Sequence, residues 1–250
     1  MFIFKLLSII LGLVFGSFFS ALSYRYPRGI SNSKGRSMCP KCKNKISWFD
    51  NIPVYSFLLL GGKCRECKGK ISWRYPIIEL TTAFSFLFLY TQFSDRPLLF
   101  FYSIIVLSIL ILILIIDFEH KIIPDTFVFL GISFSVVYLL LTTNGYQLVS
   151  GLSAGFLSAF LLLLLHIITK GRGMGLGDVK FAVWGGILVG LKLNLIWLFL
   201  AFLTGGVAGI ILITTRRAGL KDQIAFGPFL IISIALTFFL GEKLRLFMGF

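Results

Sequence analysis

The chain has 250 residues, of which 57% are hydrophobic and 14% are charged, and its mean hydropathy is +0.94. One soluble core of this size cannot bury so much apolar material, so the composition excludes an ordinary water-soluble protein and favours one dissolved in lipid. The net charge of +14 does not indicate nucleic acid as a partner, because the basic residues lie in loops between apolar runs and form no stripe on a soluble helix.

Eight apolar runs follow one another along the chain, and each is a candidate membrane span. The longest approach the roughly 20 residues needed to cross a hydrocarbon core of about 30 Å, and shorter runs lie between them. In chain order the runs are 2–23, 77–93, 98–116, 127–142, 148–169, 179–191, 193–215 and 224–240. The sequence therefore predicts an all-α, polytopic membrane helical bundle of about eight transmembrane helices.

The loop after the first run sets the predicted orientation. Residues 24–76 contain twelve Lys and Arg residues but only two acidic ones, Asp50 and Glu66. The positive-inside rule then puts this loop in the cytosol and the N-terminus outside, and the later loops alternate in agreement. A cleaved signal peptide is the alternative interpretation of the first run, but it would put the most basic loop on the outer side.

Four cysteines in the same loop form two C-x-x-C pairs, Cys39-Pro-Lys-Cys42 and Cys64-Arg-Glu-Cys67, separated by 21 residues. Two such turns supply the tetrahedral Cys₄ set of a closed structural zinc site, and a loop too short for its own core needs such a staple. Two disulfides are the alternative, which a reducing cytosol disfavours. Four sulfur ligands leave no open position for water, so Zn²⁺ is expected to shape the loop and take no part in catalysis.

These features predict three parts of the chain. Residues 1–23 form a first transmembrane helix, residues 24–76 a zinc-stapled cytosolic loop domain, and residues 77–250 a bundle of seven membrane helices. The chemistry is expected in the last of these.

Two of the ten acidic residues stand at the ends of apolar runs. Asp117 ends the third run and Asp178 opens the sixth, and the predicted topology puts both at the cytosolic face. Two carboxylates held together at low dielectric share a proton, as in aspartyl proteases: one takes a proton from the attacking water while the other donates to the scissile carbonyl. For either residue taken alone, an interfacial or helix-capping role is the favoured interpretation.

Further residues are candidates for supporting roles. Gly175 and Gly177 loosen the chain before the second aspartate and allow a substrate backbone to approach closely. Asp125 directly follows a proline, so a role at a helix N-terminus comes first and a supporting catalytic role second. Lys180 either pairs with a carboxylate or extends to the interface. Glu79 lies about one turn inside a span, where a carboxylate needs a partner or a substrate.

Motifs along nearly the whole chain resemble those of the type IV prepilin leader peptidases of bacteria, which also serve type II secretion. The likeness rests on Gly16-Ser17-Phe18 and residues 24–27, on the cysteine pairs around residues 50–56, and on residues 71–79, 117–125, 175–180 and 225–229. The resemblance implies that Asp117 and Asp178 are the catalytic pair, the latter within the G-x-G-D motif of intramembrane aspartyl peptidases.

The resemblance also implies a substrate, a second activity and a location. The substrate is a prepilin or pseudopilin whose short basic leader is removed at the cytosolic face of the bacterial inner membrane. The new N-terminal residue, usually phenylalanine, is then N-methylated with S-adenosyl-L-methionine as methyl donor. The sequence leaves open the oligomeric state, the residues that bind the methyl donor and the particular pilin.

A proton- or ion-coupled transporter is the alternative from another functional class, because it also keeps carboxylates within a helical bundle. Transporter sites lie near the bilayer midplane, often on broken helices of repeated halves. The two aspartates instead map to one face, and the chain shows no clear internal repeat.

Overall fold

The described part of the chain is almost entirely helical, as the apolar runs predict. The computed structural model describes residues 2–30, 37–143, 145–217, 219 and 224–248. Lys34 and Arg36 of the basic loop therefore lie outside the described residues. The chain divides into two compact units, Met1–Leu112 and Ile113–Phe250, with the boundary inside one long helix.

The first unit consists of two long antiparallel helices, the cysteine loop between them, and most of a third long helix. Its helices are α1 (Phe2–Arg25), α2 (Tyr55–Leu59), α3 (Arg74–Phe93) and α4 (Pro97–His120), the last of which continues into the second unit.

Helices α1 and α3 pack at very short range because glycines on α1 face the α3 backbone. A Cβ on Gly12 would lie 2.5 Å from the Cα of Ala83, and a Cβ on Gly16 would lie 2.6 Å from the Cα of Glu79. Only a residue without a side chain permits this approach. The close packing fixes the position of Glu79 along the axis of α1.

The second unit is a helical bundle built around α7. Its helices are α5 (Asp125–Thr142), α6 (Gly145–Ile168), α7 (Leu176–Val189), α8 (Asn194–Thr214) and α9 (Gly227–Met248).

Helix α7 is short but buried on several sides. Its 14 residues span about 21 Å, less than the thickness of a hydrocarbon core. Trp184 at its centre is fully buried against Gly131 of α5 and donates its indole N–H to the hydroxyl of Ser135 at 3.0 Å. On another side, a Cβ on Gly186 would lie 2.6 Å from the carbonyl oxygen of Ala154 on α6. The protein therefore holds α7 by packing against neighbouring helices.

The helical class is confirmed, whereas the number of spans is approximate. Among the described residues, five helices are long and apolar enough to cross a membrane, namely Phe2–Arg28, Pro97–His120, Asp125–Thr142, Gly145–Ile168 and Leu191–Thr214. Helices α3, α7 and α9 coincide with the other three predicted runs but do not meet that criterion. For these three helices, a membrane crossing stays a prediction.

Candidate active site

Asp117 lies in the last turn of α4, where the helix ends against a left-handed residue. Lys121 adopts φ 55° and donates its backbone N–H to the carbonyl oxygen of Asp117 at 2.8 Å, which ends the helix at this point. Asp117 is only 4% exposed, and its Oδ2 accepts no hydrogen bond from any described residue. A buried carboxylate oxygen without a partner is costly and is typical of a functional group.

The first residue of α9 closes one side of this carboxylate. The backbone N–H of Gly227 is directed at Asp117, and a Cβ on Gly227 would lie 2.5 Å from its Oδ2. The same Cβ would lie 3.0 Å from Cδ1 of Ile123. Glycine is therefore required at the start of α9 for the backbone to reach the carboxylate.

Asp178 enters the site from the first turn of α7. Gly175 is the N-cap residue, and its backbone N–H donates to Oδ2 of Asp178 at 3.1 Å. The capping interpretation of Asp178 needs a correction, since this residue occupies the third position of the helix and does not itself form the cap. One of its oxygens nevertheless accepts the backbone N–H of the N-cap residue, which is one of the two hydrogen bonds of a capping box.

The two aspartates belong to the same unit and interact electrostatically. Ile123 lies between the starts of α7 and α9: a Cβ on Gly177 would be 3.1 Å from Cβ of Ile123, whose Cδ1 in turn faces Gly227. Gly177 thus permits the first turn of α7 to approach the segment that follows Asp117. The structure therefore brings together the residues that the sequence singled out at the ends of two distant runs.

His166, near the end of α6, shapes the loop before α7. Nδ1 of His166 lies 2.6 Å from the carbonyl oxygen of Met174, so it must donate to that oxygen. Gly171 adopts φ 76° beside the imidazole ring, where a Cβ would lie 3.3 Å from Cε1. A lone histidine near a helix end carries no signal for this role, because its partner lies in an irregular loop.

Lys180 pairs with a carboxylate, which was one of its two predicted roles. Its Nζ lies 2.6 Å from Oδ2 of Asp125, the first residue of α5. The side chains are 44% and 52% exposed, respectively. An ion pair with this much access to solvent contributes at most about 1 kcal/mol.

A double-mutant cycle tests the strength of this pair. We expect Asp125→Asn and Lys180→Met together to show a coupling free energy of about 0.2–1 kcal/mol, which declines as salt screens the charges. Thermal unfolding of the four proteins in detergent at low and high salt measures it. A coupling well above this range would show that the pair is shielded from solvent and has a larger structural role.

Glu79 has partners within the first unit. It is 6% exposed, accepts the backbone N–H of Val54 at 2.8 Å, and also accepts the hydroxyl of Ser17 on α1. Of the two predicted explanations for a carboxylate inside α3, the structure provides the first, a partner. Glu79 ties the cysteine loop to both long helices of its unit.

The four cysteines form one cluster with the dimensions of a metal site. Each pair lies in a similar turn: the N–H of Cys39 donates to Asn44 at 3.0 Å, and that of Cys64 donates to Gly69 at 2.9 Å. The four Sγ atoms lie within 4.8 Å of one another, and those of Cys39 and Cys67 are 3.9 Å apart. A ZnS₄ tetrahedron with bonds of about 2.3 Å has sulfur–sulfur edges of about 3.8 Å. The cysteines therefore fit a zinc ion, and all four are free of disulfides.

An ion pair stabilises the same loop. Arg65, between the second pair of cysteines, donates Nε and Nη2 to the two oxygens of Asp50 at 2.9 and 2.7 Å. This guanidinium holds the pKa of Asp50 below its ordinary value. The bidentate contact links the second cysteine turn to the segment between the two turns.

Removing one thiolate tests the metal site. We expect the purified wild type to contain about one zinc per chain by elemental analysis and Cys42→Ser to lose most of it, since structural zinc binding contributes about 10–16 kcal/mol to small folded domains. Limited proteolysis should then cut within residues 37–76. Met38→Ser is the matched control, because Met38 is an exposed neighbour of Cys39. Full zinc content in Cys42→Ser would contradict the site.

In chemical terms, the second unit presents a buried carboxylate with an uncommitted oxygen beside a second carboxylate at a helix start. Such a pair can hold one proton and one water molecule between them, and it can exchange their roles as acid and base. This arrangement suits hydrolysis of an amide that reaches the end of α4.

Comparisons with known proteins cover most of the chain. Residues 10–93 match the Bacterial Peptidase A24 N-terminal domain, and residues 104–210 match the Type IV leader peptidase family. A prepilin leader peptidase/N-methyltransferase of Vibrio cholerae is 31% identical over 95% of this chain and 97% of its own length. A Bacillus subtilis protein of the same description is 30% identical over 94% of each chain, and one from Pseudomonas aeruginosa is 29% identical over 96% and 92%. No solved structure matches the chain significantly.

Proposed function

The chain belongs to the type IV leader peptidase family, and from this membership we propose that it removes the leader of prepilins or pseudopilins and N-methylates the new N-terminus. The relatives above carry both activities in their names. They give no support to the alternative of an ion-coupled transporter.

We propose that Asp117 and Asp178 are the catalytic pair, with a water molecule held between their carboxylates. One carboxylate takes a proton from this water as its oxygen attacks the scissile carbonyl, and the other donates a proton to the carbonyl oxygen. Collapse of the tetrahedral adduct then breaks the carbon–nitrogen bond, and the proton returns to the leaving amine. No covalent enzyme intermediate is needed.

The single observation that supports this proposal is the burial and incomplete hydrogen bonding of the Asp117 carboxylate. Asp117 is 4% exposed, and its carboxylate has an oxygen that no described residue satisfies and interacts with a second carboxylate. A purely structural aspartate at a helix end would be expected to satisfy both carboxylate oxygens, whereas here the N–H of Gly227 is directed at the carboxylate and Oδ2 is left without a partner among the described residues. Gly175 and Gly177 support the site by allowing the first turn of α7 to approach, and Asp125 and Lys180 support it by joining the starts of α5 and α7.

The proposed location is the bacterial inner membrane, with the N-terminus outside and the site at the cytosolic face. The excess of basic residues in the loop after α1 supports this orientation. An apolar pilin helix partitions into the same bilayer, so its leader junction arrives at the depth where spans of the enzyme end. In the proposed division, residues 1–23 anchor the chain, 24–76 form the zinc-stapled loop, and 77–250 carry the peptidase site.

For the second activity, S-adenosyl-L-methionine is the co-substrate that supplies the methyl group to the amine released by cleavage. Zinc would take part in neither reaction, because four thiolates would fill its coordination sphere. It holds the loop in the shape that the fold requires.

Processing in a bacterium that lacks its own prepilin peptidase tests the proposed function. Expression of this chain should shorten a co-expressed prepilin by its leader, and mass spectrometry should find one added methyl group on the new N-terminus. An unprocessed prepilin, in the presence of folded protein in the membrane, would contradict the proposal. Cleavage without methylation would remove the second activity only.

A further inference from the structure

The cysteine loop leaves five aromatic and leucine side chains more than half exposed. We call the set the apolar rim; its members are Trp48, Tyr55, Leu58, Leu59 and Trp73. Four of them are 67–75% exposed, and Tyr55 is 57% exposed. A water-soluble module rarely leaves so many large apolar groups uncovered unless they contact a partner or a membrane.

Contacts within the first unit place part of this loop beside the helices. Arg74, the first residue of α3, donates to the carbonyl oxygen of Ser20 at 3.0 Å and to the hydroxyl of Ser23 at 2.6 Å, both near the end of α1. The loop therefore leaves α1 and enters α3 at the same end of the helix pair.

The hydrogen bond between Val54 and Glu79 holds the segment before α2 alongside the pair of helices α1 and α3. Glu79 lies five residues into α3, about 7 Å along its axis, and level with Gly16 on α1. Gly16 in turn is nine residues, or about 13 Å, short of Arg25 at the end of α1. The N–H of Val54 reaches this level, because it lies 2.8 Å from Oε2 of Glu79.

The backbone at Val54 is strained where its N–H bonds to Glu79. Its φ of 59° and ψ of −48° are unfavourable for a β-branched residue, so the surrounding contacts must hold it there. Helix α2 follows directly, and its Phe57 packs on Trp73 with ring centroids 4.9 Å apart. The short helix is thereby fixed next to the first turn of α3.

Since α1 is long and apolar enough to span a membrane, a loop held to its end lies at the lipid interface. Tryptophan and tyrosine prefer this layer, in which the ring is apolar and its polar group is hydrated, and leucine favours the adjoining acyl chains. The apolar rim has the composition of such a contact.

The charge of the loop complements the same surface. Residues 37–76 carry eight Lys and Arg residues against Asp50 and Glu66, and Asp50 is already paired with Arg65. Basic clusters next to a span attract anionic headgroups.

We propose that the apolar rim is a membrane-docking surface: α2, Trp48 and Trp73 insert into the interfacial layer of the bilayer that the long helices span, and the surrounding lysines bind anionic headgroups. The loop is then a monolayer-bound module and does not project into the aqueous phase. This inference is independent of the peptidase activity, because it uses only contacts of the first unit.

Tryptophan fluorescence tests this proposal, since the chain has four tryptophans and the other two, Trp184 and Trp197, are fully buried. The full chain is placed in nanodiscs of phosphatidylcholine and phosphatidylglycerol, with or without phosphatidylcholine brominated in the upper acyl chain. We expect brominated lipid to quench the wild type at least about twofold more than Trp48→Phe/Trp73→Phe, because interfacial indoles meet the acyl chains directly. Omitting phosphatidylglycerol should reduce this difference.

A second pair of variants keeps the tryptophans in place. Leu58→Gln/Leu59→Gln should reduce quenching, whereas Leu141→Gln, which alters an equally exposed leucine at the end of α5, should leave it unchanged. Equal quenching of the wild type and the Trp48→Phe/Trp73→Phe variant would overturn the proposal. So would quenching of Trp48 and Trp73 by aqueous iodide, as expected for a surface that awaits a protein partner, or shielding from both quenchers, as expected for contact with a second copy.

Discussion

Replacing either Asp117 or Asp178 with asparagine is expected to lower the rate of leader cleavage at least about a hundredfold, since each would remove a group that moves a proton in the reaction. Asparagine keeps the size of the side chain and one acceptor oxygen but cannot exchange a proton. Purified variants in detergent, with a prepilin as substrate and mass spectrometry of the products, provide the measurement.

The double variant sharpens this prediction. Because the proposed mechanism uses the two carboxylates as one unit, Asp117→Asn/Asp178→Asn should lose little more activity than either single variant. Asp95→Asn is the matched control, an exposed aspartate of the first unit that should retain full activity. A single variant at Asp117 or Asp178 that stays within about threefold of the wild type would contradict acid–base catalysis by the pair.

Adding a methyl group at Gly227 is expected to lower cleavage about tenfold or more, because small displacements of a catalytic group are costly. The new Cβ would lie 2.5 Å from Oδ2 of Asp117 and 3.0 Å from Cδ1 of Ile123, so the carboxylate must shift. The loss should be in kcat, since the change affects the reacting groups. Overpacking should also reduce the free energy of unfolding by about 1–3 kcal/mol.

Gly206→Ala provides the comparison for Gly227→Ala. Gly206 lies in α8 of the same unit, and a Cβ there would meet no atom within 4 Å. This variant should keep full activity and gain up to about 1 kcal/mol of stability from its better helix propensity. Equal activity of the two variants would show that the contact between Gly227 and Asp117 has no role in the reaction.

The helical class and the cysteine cluster were predictable because both depend on local patterns. Apolar runs of sufficient length predict helices whatever their neighbours are, and two C-x-x-C turns predict thiolates that meet. The structure confirms both, since the four Sγ atoms lie within 4.8 Å of one another.

The packing of α7 was not predictable from its own residues. The run 179–191 has the composition of a span, but the helix is short and buried because Gly131, Gly155 and Gly186 bring other backbones and the Trp184 ring together. These contacts join helices that are distant in sequence. The number of spans is hard to predict for the same reason, because a buried helix and a lipid-facing helix have similar composition.

The site itself was predicted in part. The sequence singled out the two aspartates, but their catalytic role stays a prediction. It indicated His166 only as a packed or interfacial histidine, not as the residue that holds the loop before α7, and it did not single out Gly227, which reaches Asp117. Gly227 had one local signal, a Gly-Pro pair at the start of a run, whereas the partner of His166 is a backbone carbonyl that no side-chain pattern reveals.

Binding of a transition-state analogue is the sharpest test of the proposed catalytic pair, because it reports on both carboxylates without any turnover. The probe is a prepilin peptide whose scissile amide is replaced by a hydroxyl-bearing isostere, compared with the same peptide lacking the hydroxyl. We expect the hydroxyl to tighten binding to the wild type at least about a hundredfold, and Asp117→Asn or Asp178→Asn to abolish this gain. An equal gain in the wild type and both variants would show that the two aspartates do not hold the attacking water.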